Sequence, residues 1–271
     1  MWAVGDAGAG SLAQPAADLL ASRPMDYLVY LGDVYEHGTL KDFADNYEPT
    51  FGRFAAKTVP TVGNHEFANK ASGFGRYWAS KRGSAPPRNF TFTASGWQVL
   101  VLNSDDPMDT GSAQYRWLRS VLEKTPGRGN CRIAVTHRPR YDAGRHGDGE
   151  MVEPAWALLA GRARIMLSGH DHNMQRFAPQ RGITQFVSGA AGRSRGTYPV
   201  DGQSAGRLVF SHPARGRPQA RDDSSDGALR LILRRSGRNR STAGWAFVSA
   251  AGRRATLDHG SINCRRGGGT H

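Results

Sequence analysis

The chain has 271 residues, enough for one large α/β domain with a sizeable buried core. Hydrophobic residues make up 38% and charged residues 22%, and no apolar run approaches the roughly 18 residues that indicate a membrane-spanning helix. Basic residues outnumber acidic ones by 36 to 23, giving a net charge of +13. This charge favours anionic partners, or it reflects arginines scattered over a solvated surface.

The two cysteines and the first residues are the other general features. Cys131 and Cys264 lie far apart without CxxC spacing, which excludes a zinc site built from cysteines. They form either one disulfide, which would tie the C-terminal tail to the start of a strand, or two free thiols. The first strand begins at Met1-Trp2, and no basic and apolar leader precedes it. We expect a cytoplasmic protein as the chain stands, or a secreted one if a leader has been removed or omitted.

Short apolar strands alternate with helical segments through the first part of the chain. Apolar residues between positions 12 and 20 recur at helical spacing between two strands, which predicts a β-α-β unit with a parallel strand pair. Residues 40–47 and 51–55 predict two further short helices. Residues 67–88 predict an irregular surface segment that holds one short helix around Tyr77-Trp78. A pattern of alternating apolar residues then predicts an antiparallel hairpin over residues 89–103.

The second half of the chain becomes richer in strands after a predicted helix over residues 112–122. The Gly-rich segment 138–149 is too long for a plain connector, so we expect it at the rim of a site. Residues 193–227 predict a long loop, and residues 228–271 two terminal strands followed by a basic tail. We predict a single domain over residues 1–271, compatible with two packed sheets flanked by helices.

Polar side chains follow five of the predicted strands at the point where each strand ends. A lone Asp or His there is more often a helix cap or a structural residue, but five such segments together favour a shared site. Parallel strands would bring these side chains to one edge of a sheet, and mixed oxygen and imidazole donors suit Mn, Fe or Zn. The five segments are Gly5-Asp6, Gly32-Asp33, Gly63-Asn64-His65-Glu66, Thr136-His137 and Gly169-His170-Asp171-His172.

These motifs together resemble those of the metallophosphoesterase superfamily, the calcineurin-like phosphoesterases, over roughly residues 1–192. Gly38-Thr39 after the second motif, and Pro139 with Tyr141 after His137, look most similar to a bacterial branch related to the purple acid phosphatases. The resemblance implies a four-layer α/β/β/α sandwich of two mixed β-sheets flanked by helices. It also implies a centre of two metal ions, which would be Fe, Mn or Zn.

Carried over position by position, the resemblance implies ligands for both metal ions. Asp6 and His172 would bind the first ion, and Asp33 would bridge the two ions. The second ion would be bound by three further side chains: Asn64, His137 and His170.

The first metal site is where the chain departs from the family pattern. Many relatives place a His two residues after the first Asp, but here that residue is Gly8, as in purple acid phosphatases. In those enzymes a Tyr three residues after the second Asp supplies a phenolate to ferric iron. Here that position is Glu36, and Tyr35 lies one residue earlier. Either a one-residue contraction of the loop brings Tyr35 to the metal, or Glu36 supplies an oxygen of its own and Tyr35 packs beneath the loop.

The resemblance also implies a mechanism. Asp33 would bridge the two metal ions. A water or hydroxide between the ions would attack phosphorus in line, and both ions would stabilise the phosphoryl oxygens. His65 would face the substrate and protonate the leaving oxygen or stabilise the transition state. Asp171 would orient a ligand imidazole, and Glu66 is left without a role.

Substrate selection is weakly encoded in the sequence. Arg138, Tyr141 and His146 lie on the loop expected to rim the metals, where an Arg could bind a phosphate oxygen. We expect hydrolysis of a small phosphomonoester. One alternative is a phosphodiesterase or nuclease acting on nucleotides or nucleic acid, which the positive charge would suit; the Arg-rich segment 211–240 would then contribute to binding. The other is a non-catalytic anion-binding protein on the same fold.

Overall fold

Two mixed β-sheets form the centre of the structure, a computed structural model described over residues 1–193, 204–214 and 223–266. Most of the strands are short and buried. The strands are β1 (Trp2–Val4), β2 (Leu28–Tyr30), β3 (Thr58–Pro60), β4 (Phe90–Ala94), β5 (Trp97–Val101), β6 (Arg132–Val135), β7 (Ile165–Ser168), β8 (Met174–Phe177), β9 (Thr184–Ser188), β10 (Leu208–His212), β11 (Gly227–Arg235), β12 (Arg240–Ser249) and β13 (Thr256–Arg265).

The helices lie in the connections between strands. A reciprocal capping box between Thr39 and Asp42 begins one of them, and the Ser112 side chain caps another. No helix among the described residues is long and apolar enough to cross a membrane. The helices are α1 (Gln14–Ala21), α2 (Leu40–Asp42, continued by a π-helical turn, Phe43–Tyr47), α3 (Asn64–Phe67), α4 (Ser72–Arg82), α5 (Ala113–Lys124) and α6 (Glu153–Leu159).

The strand order places the parallel strands along one side of the first sheet and in the middle of the second. The first sheet has the order β13-β12-β11-β1-β2-β3, and the second has the order β10-β8-β9-β7-β6-β5-β4. The pairs β1–β2 and β2–β3 are parallel, as the β-α-β pattern predicts, and so are β5–β6, β6–β7 and β7–β9. Antiparallel strands complete both sheets.

Three hydrophobic clusters separate four layers of structure. The middle cluster lies between the two sheets and includes Val29 of the first sheet and Ile133 of the second. An outer cluster packs α1 and α4 against the first sheet, and another packs α5 and α6 against the second sheet. This arrangement confirms the four-layer sandwich of two mixed sheets flanked by helices.

The C-terminal third contains more strand than the sequence pattern predicts. β10 lies inside the predicted loop 193–227 and pairs with β8; residues 194–203 and 215–222 of that loop lie outside the described residues. β13 occupies the predicted basic tail and pairs with β12. Most of its side chains are polar and at least partly exposed, with Ile262 and Cys264 buried, so its apolar pattern is weak.

The structure contains the disulfide that was one of two alternatives for the cysteines. Cys131 immediately precedes β6 in the second sheet, and Cys264 lies on β13 at the edge of the first. The bond therefore links the two sheets across a sequence separation of 133 residues. Both sulfur atoms belong to the cluster between the sheets.

Candidate metal centre

The polar residues that follow β1, β2, β3, β6 and β7 meet where the C-terminal ends of the two sheets' parallel strands come together. Asp6, Asp33 and His170 have positive φ angles of 59°, 62° and 71°. Residues other than Gly rarely adopt this left-handed conformation, which turns the backbone sharply and is often found at functional sites. The sharp turn of the backbone at each of these three residues therefore sets the position of its side chain.

The Tyr35 phenol is at the centre of a first group of side chains. Its Oη lies 3.0 Å from Oδ1 of Asp6, 3.1 Å from Oδ2 of Asp33 and 2.8 Å from Nε2 of His172. A phenol has one proton to donate, so it cannot donate to both carboxylates together. Two carboxylates, a phenol and an imidazole at these distances fit a bound metal ion.

Glu36, the other oxygen considered for this position, pairs with a surface cation. Its carboxylate oxygens lie 2.6 and 2.8 Å from Nη2 of Arg193, and half of its side chain is exposed. The Arg193 guanidinium also lies over the Tyr35 ring, 4.2 Å from its centroid. The structure thus brings Tyr35 into the candidate centre and holds Glu36 at its outer edge.

His137 is at the centre of a second group. Its Nε2 lies 3.0 Å from Oδ1 of Asn64, 3.1 Å from Nδ1 of His170 and 3.4 Å from Oδ2 of Asp33. Its Nδ1 lies 2.8 Å from the Leu31 carbonyl oxygen, which can only accept, so Nδ1 carries a proton. Nε2 then faces the other candidate ligand atoms of this group and, in its unprotonated form, is free to bind a metal ion. Asp33 contacts both groups and is placed to bridge two ions.

The charges of this buried cluster also fit a cation. Burial raises the pKa of Asp6 well above its usual range. Burial opposes ionisation of Asp33 too, but the His137 and His65 imidazoles outweigh it, and the Asp33 pKa lies below its usual range. Asp33 in turn overcomes the effect of burial on His137 and raises its pKa to about 10, whereas burial and His137 hold the His170 pKa far below its usual value. A proton on His137 thus balances the negative charge of Asp33, and a bound metal ion would neutralise that charge in its place.

His65 lies beside the two groups at the protein surface. Its backbone N–H donates to Oδ1 of Asp33 at 3.0 Å, and its Nδ1 contacts the Glu36 carbonyl oxygen, which makes Nδ1 the protonated nitrogen. Its Nε2 lies 3.7 Å from Oδ2 of Asp33, and 26% of the side chain is exposed. This position leaves the imidazole accessible to a substrate above the candidate metals.

Glu66, which the sequence leaves without a role, binds the backbone of two strand ends. Its carboxylate accepts hydrogen bonds from the N–H groups of Asp33 at 3.0 Å, Val34 at 2.5 Å and Gly63 at 2.7 Å. Burial, followed by the charge of Asp33, raises its pKa to about 7. Because it lies three residues after Gly63, at the start of α3, its carboxylate reaches back to the N-cap N–H, which is one half of a capping box.

The Asp171 carboxylate has other partners than the predicted ligand imidazoles. Its Oδ2 accepts hydrogen bonds from Nδ2 of Asn173 at 2.8 Å and Nε2 of Gln175 at 2.9 Å. Its Oδ1 lies 3.4 Å from Nδ1 of His146. The structure therefore joins Asp171 to the loop after β6.

Two of the three predicted rim residues lie next to the candidate ligands. Nη1 of Arg138 lies 2.8 Å from Nε2 of His170, and the His146 and His170 rings have centroids 4.3 Å apart. Tyr141 is a correction, because it is buried in the cluster beneath α6 and contacts the Trp156 ring at a centroid distance of 5.1 Å. The aromatic ring of Tyr141, two residues after Pro139 in the loop that follows β6, packs into the hydrophobic core.

The sequence analysis does not single out Asp105 and Arg193, which also lie at this edge. Oδ1 of Asp105 accepts a hydrogen bond from Nε of Arg138 at 2.9 Å. Arg193 follows the glycine-rich end of β9, which is parallel to β7. Arg193 follows β9 and Asp105 follows β5, each after several intervening residues, so a search for polar residues directly after a strand finds neither.

Comparisons with known proteins identify the family of this chain. The model of the family described as calcineurin-like phosphoesterase matches residues 2–174. Purple acid phosphatase 21 of Arabidopsis thaliana is 28% identical over 199 residues, which cover 65% of this chain and 44% of that protein. The chain spans about half the length of the curated relatives that it matches.

Solved structures share the fold at low sequence identity. The purple acid phosphatase PPD1 of yellow lupin (Lupinus luteus) superposes with a TM-score of 0.69 at 15% identity, covering 98% of this chain and 53% of that one. GAP50, described as the anchor in the inner membrane complex of Plasmodium, gives a TM-score of 0.70 at 13% identity, with coverage of 97% and 87%. These two structures support the architecture alone.

Proposed function

Because this chain belongs to the calcineurin-like phosphoesterase family, we propose that it is a metal-dependent phosphoesterase that hydrolyses a small phosphomonoester. The observation that carries the proposal is the convergence of Asp6, Asp33 and His172 on the Tyr35 phenol, beside the group around His137. A degenerate member of the family would be expected to have lost some of these side chains, yet each donor type is present.

The described side chains supply a set of donors for two ions. In this proposal Asp6, Tyr35 and His172 bind the first ion, Asp33 bridges, and the second ion is bound by Asn64, His137 and His170. Carboxylate, phenolate and imidazole donors suit Fe, Mn or Zn. Such a pair of ions, when bound, supplies an acidified water for attack on phosphorus and positive charge for the phosphoryl oxygens.

The chain's own residues would orient the substrate and move the proton. His65 is partly exposed, and its Nδ1–H is engaged with the Glu36 carbonyl, so its Nε2 would face the leaving oxygen and would have to carry the proton that it donates. Arg138 is held by Asp105 beside His170, where its guanidinium could bind a non-reacting phosphate oxygen. Arg138 and His146 are the rim residues that we retain for substrate binding.

Two alternatives change the substrate or the activity. The net charge of +13 would suit a phosphodiester such as a nucleotide or nucleic acid. The fold is also shared by a protein described as an anchor, which makes a non-catalytic role the second alternative.

One set of measurements separates these functions. The purified chain would be reconstituted with Fe, Mn or Zn, its metal content measured, and its hydrolysis of 4-nitrophenyl phosphate and bis(4-nitrophenyl) phosphate compared. We expect two bound metals at the ligand set above and faster hydrolysis of the monoester. Preference for the diester would support the first alternative.

Matched variants make this experiment specific. Asp33→Asn should abolish turnover and the binding of the two ions of this centre, whereas Asp26→Asn, at an exposed carboxylate, should change neither. Fewer than two metals in the parent protein, with no hydrolysis of either ester, would contradict the enzymatic proposal and favour the non-catalytic one.

A further inference from the structure

Asp142, His146 and Asp171 form a second cluster of candidate ligands beside the proposed two-metal centre. Asp142 and His146 lie on the loop after β6, and Asp171 lies after β7. One ligand atom from each residue can be chosen so that the three atoms lie within 4.8 Å of one another. None of the proposed metal-bound atoms of the centre belongs to these residues.

The Asp142 carboxylate is buried and only half satisfied. Its side chain is fully inaccessible, and its Oδ1 accepts hydrogen bonds from the Gly144 N–H and from Nε2 of Gln175, both at 2.7 Å. Its Oδ2 has no hydrogen-bond donor among the described residues. A buried carboxylate oxygen without a donor is costly, which indicates that a proton or a cation belongs there.

The Asp171 carboxylate is oriented towards the same space. The side-chain amides of Asn173 and Gln175 both donate to its Oδ2, so its Oδ1 is left facing His146. Residue 144 must be small for this approach, because a Cβ at Gly144 would lie 1.4 Å from Oδ2 of Asp171. The side-chain amides thus hold the two carboxylates in a fixed orientation, as hydrogen bonds from neighbouring residues hold the ligands of a metal ion.

His146 supplies a nitrogen donor and access from solvent. Its Nδ1 lies 3.4 Å from Oδ1 of Asp171, and 31% of the side chain is exposed. Its ring packs against His170 at a centroid distance of 4.3 Å. A cation could therefore enter past His146 and would lie close to the substrate side of the main centre.

We propose that Asp142, His146 and Asp171 form an additional divalent-cation site of the zinc class. Zinc commonly takes three protein ligands from imidazole and carboxylate groups and keeps a position for water. The cation would compensate two buried carboxylates that face the same space, one of which has an oxygen without a hydrogen-bond donor among the described residues. It would also fix the loop after β6 against the segment after β7.

The test is zinc stoichiometry in matched variants. Chelator-treated protein would be dialysed against a buffer of fixed free zinc concentration, and zinc per chain would be measured by mass spectrometry. We expect three equivalents in the parent protein and two in both Asp142→Asn and His146→Ala. Glu150→Gln, at an exposed carboxylate near the same loop, should keep all three.

Two further results keep this site separable from the proposed two-metal centre. Asp33→Asn should lose the pair of ions but retain the equivalent that Asp142→Asn removes. Anomalous X-ray scattering at the zinc edge from the zinc-soaked parent protein should give a peak between Asp142, His146 and Asp171, which does not depend on how a variant folds. An absent peak, or a parent stoichiometry that neither variant lowers, would overturn the proposal and leave a carboxyl pair that shares a proton.

Discussion

The phenol oxygen of Tyr35 lies 2.8 Å from Nε2 of His172, although 137 residues separate them in the chain. Tyr35 follows β2 of the first sheet, and His172 follows β7 of the second. The candidate centre is therefore assembled across the boundary between the two sheets. Its geometry depends on how the sheets pack, and not on any single motif.

Replacing Tyr35 by Phe should weaken the first metal site, because the phenol oxygen contacts Asp6, Asp33 and His172. If the first ion is Fe(III), a tyrosinate ligand gives a visible charge-transfer band, and Tyr35→Phe should abolish it. Absorption spectra and metal content of the iron-loaded protein measure both effects. Tyr47→Phe, a buried phenol in the outer cluster beside the first sheet, is the matched control and should keep the band. An unchanged band in Tyr35→Phe would exclude the phenolate ligand.

Replacing His65 by Ala should slow turnover while leaving both proposed metals bound. We expect a decrease in kcat on the order of 10²–10⁴-fold, the usual effect of losing a positioned proton donor. Steady-state kinetics on a phosphomonoester, with metal analysis of the same sample, separates catalysis from metal loss. His37→Ala changes an exposed His on the neighbouring loop and should have little effect. Normal turnover in His65→Ala would disprove the role proposed for His65.

Replacing Glu66 by Ala should destabilise the fold around the site even in the absence of metal. The change leaves the buried N–H groups of Asp33, Val34 and Gly63 without their acceptor. At about 1–3 kcal/mol for each unsatisfied donor, the free energy of unfolding should fall by roughly 3 kcal/mol or more. Urea unfolding of metal-free protein measures this, with the exposed Glu123→Ala as control. Equal stability of the two variants would contradict the structural role of Glu66.

Reducing the Cys131–Cys264 disulfide should lower stability without changing the ligand set. Opening a link between residues separated by 133 positions should cost about 2–5 kcal/mol, mainly by releasing the unfolded chain. Urea unfolding with and without reductant tests this for the parent protein. A Cys131→Ser/Cys264→Ser double variant should match the reduced parent and show no response to reductant. A reductant effect of equal size in that double variant would show that another cause is at work.

Much of the architecture could be predicted because the signals are local. Buried runs such as residues 28–30 and 165–168 form strands whatever lies around them, and the polar residues that directly follow must lie at the strand ends. The family match confirms the resemblance to the calcineurin-like phosphoesterases, and the two-sheet sandwich is confirmed as well. β10 and β13 were not predicted, because their side chains are largely exposed or polar and pairing with a neighbour determines their conformation.

The sequence by itself determined which chemical groups stand at the strand ends, since each group adjoins a buried run. Only the tertiary structure showed where Tyr35 and Glu36 lie: the backbone after Asp33 turns the phenol towards Asp6 and leaves the Glu36 carboxylate beside Arg193. Tertiary contacts likewise gave Glu66 its three backbone donors and placed Asp171 beside His146. Side-chain direction at a strand end depends on segments far away in the chain, and no local pattern records it.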